Sequence, residues 1–226
     1  ELIDGLLETR KDTHDLYQLV LRKVNLLLEQ NEEQKANEMI RQYLYLTEIR
    51  EMEVEKLIVR CQYDEAIRLL DEGIEIAKEE IRILKAAFAK CRIDRYEEIC
   101  AQHIYMGCGI QYFVPQAKEE QLPCTEAGIY FTVDAVLDNR RELCERLGIQ
   151  EEADTIPDGE LLFRMLRRYG MECLNDILGA YAFVWYNQDT NTIEIAADAV
   201  GNRLVYYTKR GDVVYFSSLL EPLRLI

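Results

Sequence analysis

Seven cysteines and two histidines are the residues of this chain that could act as nucleophiles, bases or soft metal ligands. Cys61, Cys91, Cys100, Cys108, Cys124, Cys144 and Cys173 are odd in number, scattered, and include no C-x-x-C pair. A disulfide framework would show an even count in a shorter, secreted chain, so reduced thiols in a cytoplasmic protein are expected. Cys91, Cys100, His103 and Cys108 can be written as a metal-ligand set. Their wide spacing lacks the tight knuckle of structural zinc, and free cysteines commonly serve as small buried apolar residues. No metal is expected in this chain. His14 lies beside Asp12 and Asp15 on a charged stretch and reads as a solvated histidine. Neither a G-x-x-x-x-G-K-[ST] loop nor a G-x-G-x-x-G turn occurs, so no nucleotide-binding loop is recognisable.

These side chains are carried by two halves of different composition. Only Gly5 and Gly73 fall in the first hundred residues, while the other nine glycines and all four prolines come later. The first half reads as helix and the second as short strands and turns. Hydrophobic residues make up 49% and charged residues 31%, enough apolar chain to bury a core. The formal charge of −15 argues against a phosphate-backbone binder, which would need a basic face, so no nucleic acid partner is expected. Arg22, Lys23 and Asn25 interrupt the Leu19–Leu28 stretch and no run approaches the roughly 18 apolar residues of a span, so no membrane span is expected, and no basic-then-apolar targeting segment opens the chain.

In the first half, Leu2, Leu6, Tyr17, Val20, Leu21, Val24, Leu27 and Leu28 form a helical stripe, interrupted at Thr9–Thr13, that ends near Asn31. A second helix is expected over Glu32–Tyr45. A third runs from Thr47, as its N-cap, to Cys61. A fourth starts near Tyr63, with Glu80–Lys90 as its continuation or as a fifth helix. Short connections imply helical hairpins stacked side by side. The stretch Tyr63–Gly73 is similar to the second half of a tetratricopeptide-type repeat, and Tyr43–Ala77 resembles the helical region following the zinc motif in SWIM zinc-finger proteins. The zinc-binding segment is not present, so that resemblance implies only a helical scaffold.

In the second half, strands are expected at Cys108–Phe113, Ile129–Leu137, Tyr181–Asn187, Ile193–Ala197, Leu204–Lys209 and Val213–Phe216. A short helix follows Asp138-Asn139, and an amphipathic helix follows Pro157, with Asp158 placed to cap it. Five landmarks stand in order. They are Asp134-Ala135-Val136-Leu137-Asp138-Asn139-Arg140-Arg141-Glu142-Leu143, then Asp158-Gly159-Glu160-Leu161-Leu162, then Ile177–Trp185, then Ala196–Tyr207, and last the final hairpin with Ser218–Leu223.

These landmarks resemble, over roughly Met106–Ile226, the class II glutamine amidotransferase domain of the asparagine synthetase family. The resemblance implies an antiparallel Ntn-type β-sandwich with flanking helices, and hence an α+β chain. The implied division is 1–90 as helical-hairpin scaffold, 91–105 as linker and 106–226 as a truncated amidotransferase-like domain. It also implies a reaction: an N-terminal cysteine attacks the glutamine amide with its own α-amine as base, and ammonia passes to a synthetase domain. ATP and Mg are expected only for that synthetase domain, outside this chain, and no cofactor is expected here.

The departures from the family pattern matter for chemistry. Family members start Met-Cys-Gly-Ile, which makes Met106-Gly107-Cys108-Gly109-Ile110 tempting. Cys108 is internal, however, so its amine is locked in a peptide bond, and it would serve only if exposed as an N-terminus. Gly107–Pro115 instead fits a later strand, where the family's carboxylate-gripping arginine is replaced. Asp134 stands where the oxyanion-stabilising Asn sits in the family, and a carboxylate there would repel developing negative charge. Asp158, with Gly159 beside it, and Asp134 are the candidate glutamine-binding positions. The expectation is a catalytically impaired domain supporting a synthetase domain. The alternative is a non-catalytic helical adaptor, fused to an Ntn-like domain, that docks another protein.

Overall fold

The computed structural model describes residues 16–101, 103–210 and 213–225. Leu2, Leu6, the Thr9–Thr13 interruption, His14 and the Gly211-Asp212 turn lie outside the described residues. The chain is α+β with antiparallel sheets and divides into two units. One comprises residues 1–83, 207–216 and 226; the other comprises 84–206 and 217–225.

The first unit holds α1 (Leu16–Glu29), α2 (Glu33–Gln42), α3 (Thr47–Val59) and most of α4 (Tyr63–Phe88). Leu16, Val20, Val24 and Leu27 recur every three to four residues along α1 and pack on Ala36 and Ile40 of α2 and Ile49 of α3. Val54 and Leu57 of α3 meet Ala66 and Leu69 of α4 in a second cluster. The same turn follows α1 and α3. Asn31 and Cys61 take positive φ, and the amides after them, Glu32 N and Gln62 N, reach back to Leu27 O and Leu57 O at 2.9 and 2.8 Å. This closure satisfies the last helical carbonyls. Thr47 is the first helical residue rather than the cap, since Leu46 precedes it without a side-chain capping bond. Residues 80–88 continue α4 instead of forming a fifth helix. The strands β7 (Tyr206–Arg210) and β8 (Val213–Ser217) pair as a separate two-stranded sheet, whose residues 207–216 group with these helices. There Tyr215 donates its hydroxyl hydrogen to Glu80 Oε2 at 3.0 Å.

The second unit takes the end of α4 and then a hairpin. The segment 91–105, expected as a linker, carries β1 (Arg95–Ala101), which pairs along its whole length with β2 (Ile104–Ile110). The strand expected at Cys108–Phe113 therefore starts and ends earlier. Gly107 and Gly109 lower β-propensity, and side chains fill the space beside them: a Cβ at Gly107 would displace the Tyr96 hydroxyl and one at Gly109 would lie 2.7 Å from Ile93 Cδ1. A four-stranded sheet follows in the order β3 (Cys124–Glu126), β4 (Ile129–Leu137), β5 (Gly179–Asn187), β6 (Thr192–Ala197). Phe131 stands opposite Trp185 and Val133 opposite Phe183. This face packs on α5 (Arg140–Leu147) and α6 (Asp158–Tyr169) through Leu143, Leu161, Leu162 and Met165. Phe131 gathers Phe163, Phe183 and Trp185 at ring separations of 5.3, 5.7 and 5.9 Å. The other face of β4 presents Thr132 and Asp134, while β5 is buried from Tyr181 to Tyr186. A last helical turn, α7, spans Leu220–Leu223. Among the described residues, no helix is long and apolar enough to cross a membrane.

Candidate functional site

Cys108 and Asp134 bear on the second face of β4, while Asp158, Gly159 and Glu120 gather at the start of α6. Cys108 is carried there by β2, opposite Glu97 in the hairpin register. Burial pushes its thiol up to about 11; the Thr132 hydroxyl opposes this, the Glu120 and Asp134 carboxylates add to it, and Arg95 offsets them in part. At neutral pH such a thiol is ionised to roughly one part in ten thousand, and only the thiolate is a strong nucleophile. Cys124, burdened by burial and by the Glu120, Glu126 and Glu160 charges, is pushed up to about 12.

Asp134 stands on β4 opposite Ala182. The surrounding protein raises its pKa by desolvation, and the nearby Arg203 pulls it back. Arg203 Nε lies 3.2 Å from Asp134 Oδ1 as an ion pair without hydrogen-bond alignment. Sequence reasoning placed the carboxylate but missed its partner. The arginine is delivered by a loop that Asp198 organises, and that link is invisible in spacing alone.

Asp158 is the first residue of α6, with Pro157 before it and no side-chain capping bond. Its expected role as a helix cap is thus corrected. Its carboxylate instead accepts hydrogen bonds from the Arg140 guanidinium and, at 3.3 Å, from Leu137 N. Arg140 also donates to Ile156 O and Ala153 O, so this pair ties β4, α5 and the approach to α6 together. The α6 terminus is served from elsewhere in the chain. Gly159 donates its N–H to Glu120 Oε2 at 3.0 Å, which places a carboxylate at the positive end of the helix. The approach is close enough that a Cβ on Gly159 would lie 2.7 Å from Glu120 Oε1 and 2.8 Å from Leu122 Cδ1. Burial raises the Glu120 pKa, while the Gly159 and Glu160 amides lower it, and Oε1 is buried without a partner.

The loop carrying Glu120 is strapped down by Arg95 of β1, which donates to Lys118 O at 3.1 Å and to Glu120 O. Arg95 is the one arginine that bears on Cys108 electrostatically, yet its hydrogen bonds go to main-chain carbonyls. The structure therefore brings the Glu120 and Asp134 charges to bear on Cys108, with Asp134 facing Arg203 and Glu120 holding the Gly159 amide through one oxygen only. Within the β1–β2 hairpin, Cys100 stands opposite Tyr105 and Cys108 opposite Glu97, so these two members of the sequence-derived metal set sit at separate register positions. Among the described residues, no group of three or more His, Cys, Asp or Glu side chains could hold a metal ion, and all seven cysteines are free thiols.

Comparison with known proteins agrees with the placement of these landmarks. A family model for the glutamine amidotransferase domain matches residues 112–224, half of the chain. A probable glutamine-hydrolysing asparagine synthetase from Schizosaccharomyces pombe is 27% identical over 111 residues, covering 48% of this chain. The aligned segment spans about a fifth of that relative's length, 20%. With the five ordered landmarks seated on β4 through α7 and the family model reaching from the end of β2 to α7, the chain belongs to the glutamine amidotransferase domain family, as a class II domain of the asparagine synthetase type.

Proposed function

We propose that this chain is an asparagine-synthetase-related amidotransferase domain whose own glutamine chemistry is impaired, and that it acts as a non-catalytic partner of an amide-forming synthetase domain in a reducing, cytoplasmic setting. The observation that carries this reading is the state of Cys108: an internal thiol, pushed up to about 11 by burial and by the Glu120 and Asp134 charges beside it. Amide attack by a thiolate needs a base for the sulfur and fixed N–H donors for the oxyanion. Here the thiol has carboxylates for neighbours. Asp134, at the position the resemblance assigns to the oxyanion-holding Asn, is engaged with Arg203. Glutamine recognition by Asp158 is weakened on the same logic, because Arg140 already neutralises its carboxylate.

The Ntn-type sandwich belongs to this proposal. It is supported by a sheet with helices on one face and the β1–β2 hairpin contacting β4. ATP and Mg are assigned to the synthetase partner. The second reading, a helical adaptor that docks protein, is favoured by one observation: α4 leaves Tyr63, Ile67, Leu70 and Ile74 in solvent.

The test is glutamate release from glutamine by the purified chain, beside a Cys108→Ala control and an intact mass. No turnover with the mass intact is expected. Turnover that Cys108→Ala abolishes, with a mass showing cleavage before Cys108, would make that residue an unmasked N-terminal nucleophile and overturn the reading.

A further inference from the structure

Helix α4 buries Ala66 and Leu69 against α3, and a second apolar set on the same helix stays in solvent. Tyr63, Ile67, Leu70 and Ile74 are 56%, 56%, 48% and 51% exposed; Ala77 is exposed too, and Ile81 half-buried. From Tyr63 to Ile81 these positions alternate steps of four and three residues without a break. That is the period of about 3.5 that keeps a seam facing another helix, not the roughly 3.6 of a helix lying on its own core. The isoleucines occupy the a positions of the heptad, and Tyr63, Leu70 and Ala77 occupy d.

The flanking charges say which helix fits. The e positions read Asp64, Asp71, Lys78, Lys85, reversing sign at the middle of the seam. A parallel copy would set these against g positions, which are Ala66, Gly73 and Glu80 and offer little charge. An antiparallel copy sets e against e. With Ile74 packed on Ala77 of the second copy and Leu70 on its Ile81, Asp71 faces Lys78 twice, once in each direction, and Asp64 faces Lys85. We propose that α4 is a self-association helix and that its occupant is α4 of a second copy of this chain, running antiparallel.

Asp71 has no ion pair among the described residues, and Lys78 holds only Glu75, a pair 65% and 72% exposed that exchanges at little cost. Lys85 already meets Glu98 at 2.6 Å, so the central Asp71–Lys78 contact sets the orientation. The net charge of −15 opposes association. The apolar seam must therefore drive it, with the charges choosing the direction.

Sedimentation velocity of the full chain across the micromolar range tests this. The expected result is a concentration-dependent dimer that Ile74→Glu converts to monomer with unchanged far-UV circular dichroism. Asp71→Lys or Lys78→Asp alone weakens the dimer by about tenfold, because each change acts twice in a two-fold pair. The double exchange Asp71→Lys with Lys78→Asp restores it. A monomer at every concentration would overturn the proposal. So would a dimer indifferent to Ile74→Glu, or a double exchange that fails to restore association.

Discussion

Asp198, at the end of β6, collects four backbone N–H groups: Tyr181 at 3.3 Å, Val200 at 3.1 Å, Asn202 at 3.0 Å and Arg203 at 2.9 Å. A carboxylate ringed by amides is favoured in its charged form, and these bonds lower its pKa to about 2 from the ordinary 3.8. A folded-state pKa below the unfolded one stabilises the fold above the unfolded value, and that stabilisation is lost as pH falls through the folded value. Asp198 thus contributes fully above about pH 4 and loses its contribution between about pH 4 and 2. We expect Asp198→Asn to lower the melting midpoint at pH 7 by several degrees and Asp198→Ala to lower it further. Both variants should converge toward wild type near pH 2, as thermal scans at stepped pH would show. Wild-type-like melting of Asp198→Ala at pH 7 would contradict this account. The same loop sets Arg203 against Asp134, so the residue that folds the loop also decides what faces the candidate site.

Among the elements, the start of α6 is the informative case. A helix leaves its first amides unpartnered, and here a distant loop residue, Glu120, meets one of them at Gly159. Gly159→Ala would drive a Cβ toward Glu120 Oε1 and Leu122 Cδ1. Overpacking of this kind costs about 1–3 kcal/mol, which urea unfolding would measure, and Glu120→Ala in the same chain should return part of it. Glu120 also has a pH signature. Its folded pKa lies above the unfolded one because burial disfavours the charge. The carboxyl therefore costs nothing below the unfolded value and destabilises as pH rises through the folded one. Glu120→Gln keeps an acceptor for Gly159 and removes the charge. It should match wild type near pH 4 and exceed it modestly in stability at pH 7. A Gln variant less stable than wild type at pH 7 would show that the charge at the helix end outweighs its desolvation.

At the scale of the whole molecule, two units share one chain, and Trp185, the only tryptophan, is buried on β5 of the second. The first unit holds α1, α2, α3 and most of α4, so helical circular dichroism is weighted toward it. Separate cores lose cooperativity when each can open alone. We expect tryptophan fluorescence and the far-UV signal to report non-coincident transitions in urea. Superimposable curves would mean that the units unfold as one. The family segment crosses this division, because residues 207–216 of the matched stretch group with the helices. Within the first unit, the Tyr215–Glu80 hydrogen bond ties β8 to α4.

Local periodicity was enough to mark most elements. The alternation over Ile129–Leu137 matches β4 end to end, and the stripe Leu161, Leu162, Met165, Leu166 marks the buried face of α6. Such patterns are readable because amphipathic spacing and turn residues act over a few positions. The five landmarks likewise carried the family from sequence alone. Their limits were also physical. The glycines inside β2 left its bounds unreadable, so the strand expected at Cys108–Phe113 lies at Ile104–Ile110, and its partner β1 falls in the segment expected as a linker. What Cys108, Asp134 and Asp158 touch was decided only by tertiary structure. Glu120 lies 39 positions from Gly159 in the chain, and Arg203 reaches Asp134 across two intervening strands of sequence, β5 and β6. No spacing rule reaches across such intervals, because the course of the loops between them determines whether two opposite charges meet. The sequence determined which residues could do chemistry, and the fold determined that their charges are already engaged.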